Sequence, residues 1–100
     1  VAALDDILAV EGVDAVFIGP SDLSANYGHI GNPGAPEVVE AVQSSLDKIA
    51  ASDKASGIMA LDPAAAKSYL DRGVDFVAVS IDARTLALSL RAIAADMRNR

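Results

Sequence analysis

Residues Val13 to Ser24 read VDAVFIGPSDLS. Val13 to Ile18 is a short run dominated by apolar and β-branched residues, the composition of a strand buried in a sheet. The run stops at Gly19-Pro20, a pair that breaks regular structure. Asp22 then stands just past the carboxyl end of the strand, where α/β proteins hold the side chains that do chemistry. By residue type alone, Gly19-Pro20-Ser21-Asp22 reads equally as a turn in which a Ser or Asp caps the next helix, and both readings stay open here.

On the amino side, Val1 to Val10 carries Val1, Leu4, Ile7 and Leu8 at helical spacing, with Asp5 and Asp6 opposite. No capping residue precedes Val1, so a longer chain leading into this helix is expected. Gly12 stands where a left-handed cap would close it. On the carboxyl side, Ser21 to Tyr27 suits a helical turn, and Gly28 to Pro36 is a loop dense in helix breakers, of a length that commonly carries a function. Val38, Val42, Leu46 and Ile49 then define a helix opened by Pro36.

Two further strand-helix units follow. Lys54 to Ala60, KASGIMA, is a second strand in which Gly57 allows close approach of a backbone or ligand. Asp62-Pro63 starts a helix that Gly73 ends. Asp75 to Ile81 is a third strand, and Asp82 caps a last helix whose apolar side is Leu86, Leu90, Ile93 and Met97. Asp62 and Asp82 also stand at strand ends, but capping explains both. Arg84 reads as a solvated helix residue, and His29, alone in a glycine-rich loop, as a surface residue.

The pattern predicts an α/β fold with parallel strands near residues 13–18, 54–60 and 75–81, and with every helix on one face of the sheet. The other face, read from Val13, Ala15, Phe17, Val77, Val79 and Ile81, would be apolar and bare. The remaining strands of a barrel, or a second copy, would cover it.

Composition supports this class: 52% of the 100 residues are apolar but only 4% aromatic, which suits helices on a parallel sheet. The net charge of −6, with eight scattered Lys and Arg, excludes a nucleic-acid footprint. Without cysteine there is neither a disulfide framework nor a thiolate metal site, which suits a cytoplasmic protein. No apolar run is long enough to span a bilayer.

Three stretches together, EGVDAVFIGPSDLSANYGHIGNPGAPEV from Glu11, KASGIMA from Lys54 and YLDRGVDFVAVSIDARTLA from Tyr69, closely resemble the C-terminal part of the HpcH/HpaI aldolase family. The likeness runs over essentially the whole chain. It implies that residues 1–100 are the last three βα units of a (β/α)8 TIM barrel of the phosphoenolpyruvate- and pyruvate-binding type. It also implies a carbon–carbon lyase that cleaves or forms aldol products of pyruvate with a divalent metal, Mg²⁺, Mn²⁺ or Co²⁺. By the same resemblance Asp22 is the metal ligand. Gly19, Pro20, Ser21, Asp22 and Met59 contact the substrate, with Ser21 and Asp22 offering amides to its carboxylate. Met59 replaces a leucine, and Ser80 a glycine, that are usual in the family.

The family's other metal ligand and its catalytic groups correspond to positions before residue 1, so the resemblance implies no catalytic residue in this stretch and no activity from it alone. The partner expected from the family is a second copy, as a homo-oligomer that exchanges its C-terminal helix or strands; nucleic acid and membrane are not expected. Two alternatives stand beside this reading: a citrate lyase β-like enzyme of the same superfamily, and a non-catalytic α/β module that self-associates.

Overall fold

In a computed structural model that describes residues 1–100, three short strands lie parallel and side by side in chain order: β1 (Ala15–Ile18), β2 (Ala55–Met59) and β3 (Phe76–Ala78). All are shorter than the sequence predicts, because each ladder ends where its neighbour runs out. The Ala55 amide still donates to Asp14 O at 3.0 Å and the Ala60 amide to Ala78 O at 2.9 Å. Past Ala60, however, β2 turns into the Asp62-Pro63 helix start, and Val79 to Ile81 lose their pairing partner.

The helices are α1 (Leu4–Leu8), α2 (Pro20–Asn26), α3 (Pro36–Ala50), α4 (Pro63–Arg72) and α5 (Asp82–Arg98). In α3 the spacing of Val38, Val42, Leu46 and Ile49 puts all four on one stripe, and all four are buried. Val42, Leu46 and Ile49 of that stripe meet Ile18 and Ile58 from the sheet, Leu4 from α1 and Val74 from the turn before β3. Full burial of one such side chain contributes roughly 1.5–3 kcal/mol, so this stripe is what holds the helical layer to the strands. α4 packs on β3, bounded by Asp62 at its start and by Gly73 in the left-handed region, φ 104°, at its end. α1 is only five residues long, since nothing caps it at Ala3. It ends at Ala9, and Gly12, φ 94°, lies in the turn beyond rather than capping the helix.

The opposite face of the sheet is open, as predicted, but its composition differs. Phe17, Gly57 and Phe76 are in register across the three strands. The two rings stack with centroids 5.7 Å apart over the glycine, and a Cβ on Gly57 would clash with both, most severely with Phe76 and at 2.8 Å with Phe17 Cδ2. The close approach that Gly57 permits is therefore by aromatic side chains, not by a backbone or ligand. Val77, expected on the open face, packs instead against the buried core. Both faces of β3 are apolar, so alternation along that strand could not choose between them.

The last helix is bare on its apolar side. No residue of α5 is buried, and Leu86, Leu90, Ile93 and Met97 are 57–62% exposed. Helices α3 and α4 pack on the sheet and α1 and α2 pack on α3, whereas α5 projects, and the molecule is 57 Å along its longest axis. The apolar stripe of α5 is thus no part of this chain's core. No helix is long and apolar enough to cross a membrane.

Candidate active site at the carboxyl ends of the strands

The turn after β1 sets the position of Asp22. Gly19 is extended at the N-cap of α2, Pro20 fills the first helical position, and the first intrahelical bond runs from the Leu23 amide to Gly19 O at 3.0 Å. Pro20 has no N–H, so the unpaired donors of this helix start are the amides of Ser21 and Asp22, which have no acceptor within the chain. Fully buried Ser24 donates its hydroxyl to Ser21 O at 2.6 Å and fixes the turn from below.

The Asp22 carboxylate folds back over Gly19: a Cβ on that glycine would stand 3.1 Å from Asp22 Oδ2. The absence of a side chain at Gly19 is what makes room for it. No ion pair or side-chain hydrogen bond of the chain engages this carboxylate.

Beside it opens a depression of about 260 Å³, lined by Phe17, Gly19, Pro20, Ser21, Asp22, Met59, Leu61 and Ile81. All five of the predicted substrate contacts, Gly19, Pro20, Ser21, Asp22 and Met59, border this one space. Its walls differ in kind. The β1–α2 turn supplies the carboxylate, the Ser21 hydroxyl and the free amides, whereas Phe17, Met59, Leu61 and Ile81 supply hydrocarbon and one thioether. A larger hollow of about 420 Å³ lies beyond the free edge of β1 and also reaches Gly19 and Asp22.

Asp62, Asp82 and His29 are engaged locally. Asp62 Oδ2 accepts from the Ala65 amide at 3.1 Å, the cap predicted. Ile81, not Asp82, occupies the N-cap of α5; Asp82 is one position further on and accepts from the Ala83 amide at 2.8 Å. Its carboxylate is still taken up by a first-turn amide. His29 donates to Glu37 Oε2 at 3.0 Å, joining the glycine-rich loop to the first turn of α3. Arg84 makes no ion pair.

Three lining residues were not read as site residues from the sequence: Phe17, assigned only to the open sheet face, Leu61 and Ile81. Leu61 was legible in principle, being two positions after Met59 and hence on the same side of an extended segment. The chain holds no group of three or more His, Cys, Asp or Glu able to enclose a metal ion.

The chain is 53% identical over 93 residues to a hydroxypyruvate/pyruvate aldolase of Pseudomonas aeruginosa, covering 93% of this chain and 35% of that protein. It is 50% identical over 92 residues to a 4-hydroxy-2-oxo-heptane-1,7-dioate aldolase of Escherichia coli, again covering 35% of the relative. Among solved structures, an HpcH/HpaI aldolase/citrate lyase family protein from Burkholderia cenocepacia superposes with a TM-score of 0.84 at 36% identity, over 95% of this chain and 37% of that one. An HpcH/HpaI aldolase from Desulfitobacterium hafniense superposes with a TM-score of 0.87 at 31% identity, over the whole of this chain and 40% of that one. The three-stranded arc is thus a segment of their TIM barrel. The chain spans little more than a third of the length of these relatives. The profile of HpcH/HpaI aldolase/citrate lyase matches residues 1–88, and with the turn, the arc and the relatives in agreement, the chain belongs to that family.

Proposed function

We propose that this chain is the C-terminal part of a TIM-barrel lyase that cleaves 4-hydroxy-2-oxo acids to pyruvate and an aldehyde, or runs the reverse condensation. The observation that carries the proposal is Asp22: a carboxylate with no internal partner, beside two free amides, on a depression at the carboxyl ends of parallel strands. Its relatives' names, hydroxypyruvate/pyruvate aldolase and 4-hydroxy-2-oxo-heptane-1,7-dioate aldolase, support the same chemistry.

In cleavage the 4-hydroxyl gives up its proton, the C3–C4 electron pair moves to C3, and C3 takes up a proton; nothing is oxidised or reduced overall. The family resemblance implies a divalent cation. Asp22 fits as one hard oxygen ligand of Mg²⁺, Mn²⁺ or Co²⁺, and in this proposal the other ligands come from outside these 100 residues. Such an ion, when bound, supplies Lewis acidity to the keto acid.

This chain's own contribution is binding and orientation. The amides of Ser21 and Asp22, at a helix start, offer N–H donors to the substrate carboxylate, while Gly19 leaves space for that approach. Pro20 holds the turn, and Met59 lines the opposite wall. No residue here is assigned as the base. The exposed stripe of Leu86, Leu90, Ile93 and Met97 supports a homo-oligomer in which α5 docks on another copy. A cytoplasmic location completes the reading.

The test is pyruvate release by the full-length protein, coupled to NADH oxidation by lactate dehydrogenase, before and after metal removal. Cleavage is expected to vanish with EDTA and return with Mg²⁺, Mn²⁺ or Co²⁺. Cleavage that persists through complete metal removal would exclude the metal role given to Asp22.

A further inference from the structure

We infer that Leu61 is a specificity-determining residue, setting the size of the aldehyde substituent that the site accepts. The inference rests on the aldolase reading above and adds to it a residue that the reading does not use. The starting observation is the asymmetry of the 260 Å³ depression. Its polar wall, Ser21 and Asp22 with their amides, is assigned to the keto acid end of the substrate. The part of the substrate beyond that end then faces Phe17, Met59, Leu61 and Ile81, none of which carries a hydrogen-bonding nitrogen or oxygen in its side chain.

Leu61 is the one of these four that follows the ladder and precedes a helix cap, with the residue on each side tied down. The Ala60 amide just before it donates to Ala78 O at 2.9 Å, and Asp62 just after it caps Ala65 at 3.1 Å, with Pro63 fixing the next backbone angle. Its branched side chain is half-buried against the depression. Met59, on the same wall, is unbranched and yields to a ligand's shape. Ile81 is 44% exposed, and Phe17 is stacked on Phe76 over the open face. A branched side chain on a fixed backbone resists a ligand's shape, and Leu61 meets both conditions while being less exposed than Phe17 or Ile81.

In an apolar pocket one methylene changes discrimination by roughly 10- to 200-fold. Leu61→Ala in the full-length protein is expected to raise the kcat/KM ratio of a 4-hydroxy-2-oxo acid with a propyl substituent at C4 to one with a methyl substituent by about 10-fold or more. Leu61→Phe is expected to lower that ratio. Leu61→Val, the mildest change, should raise it by about threefold and covers the case in which the larger changes impair folding. Both substrates are measured on one preparation, so partial unfolding cancels from the ratio.

Exchange of the pyruvate methyl protons with D2O, followed by NMR, reads the keto acid end alone and should stay within about twofold of wild type in every variant. A ratio unchanged in all three variants, with exchange intact, overturns the role of Leu61 and leaves the aldolase reading standing. A wild-type protein that neither exchanges pyruvate protons nor cleaves either substrate overturns the aldolase reading itself.

Discussion

At the amino rim of the sheet, Asp75 takes over a main-chain task, whereas at the carboxyl rim Asp22 takes over none. The Ser56 amide, which β3 begins too late to pair, donates to Asp75 Oδ2 at 2.8 Å, and the Asp75 amide returns a bond to Ser56 O at 3.1 Å. The carboxylate replaces the missing rung of the ladder. Asp22 is equally well defined by its turn, but its oxygens face a depression and meet no donor. An unengaged carboxylate is not distinctive by itself: Asp14, at the amino rim, makes no side-chain bond either, but it lines neither hollow. What sets Asp22 apart is the combination of free oxygens, a glycine beneath them and neighbouring free amides. In the proposed reading the amino rim serves stability and the carboxyl rim binding, the division expected of a parallel barrel.

Asp22→Asn in the full-length protein bears on this contrast most strongly. If Asp22 is the metal ligand proposed above, its loss lowers kcat/KM for pyruvate release on the order of 100-fold or more. The urea midpoint should hardly move, because no internal contact is lost. A large loss of stability with activity retained would mean that Asp22 belongs with Asp75.

Next in size is Gly57→Ala, which tests the ground between the rims. The added Cβ overlaps the rings of Phe17 and Phe76, and overpacking of this kind costs about 1–3 kcal/mol. Urea unfolding should show the loss, and pairing the change with Phe76→Leu should recover part of it. An unchanged midpoint would show that the rings move aside without cost.

These two sites also show how far a sequence reveals its structure. GPSD after a β-branched run, the Val38-Val42-Leu46-Ile49 stripe, and Asp62-Pro63 with Gly73 were all readable because each is a local pattern with a local cause. The faces of β3 were not, because Phe76 and Ala78 on one side and Val77 on the other are all apolar. What decides between them is cross-strand register, with Phe17 and Phe76 meeting over Gly57. The stripe of α5 was read correctly as a stripe, but periodicity identifies an apolar side without identifying what lies against it. Spacing puts Leu61 on the same side as Met59, but spacing does not say that this side borders a depression; the shape of the depression does.

Asp75→Ala comes third. It leaves the Ser56 amide, in a buried residue, without an acceptor, a loss of about 1–3 kcal/mol. Asp75→Asn keeps an acceptor oxygen and should recover much of that. Neither change should alter kcat/KM, since Asp75 lies at the end of the sheet away from the depression. Loss of activity without loss of stability would undo the division between the rims.

The smallest expected effect tests the division within the carboxyl rim itself. Asp62 stands at the end of β2 as Asp22 stands beyond the end of β1, but its carboxylate is held by the Ala65 amide. Asp62→Ala should cost about 1 kcal/mol of stability, the ordinary value of a lost N-cap, and Asp62→Ser, which still caps, much less. Because the cap also anchors Leu61, the alanine variant should blur discrimination between long and short aldehyde substituents while leaving exchange of the pyruvate methyl protons with D2O unchanged. If proton exchange fell in parallel with Asp22→Asn, two carboxylates of this rim would be acting on the keto acid, and capping would no longer account for the second.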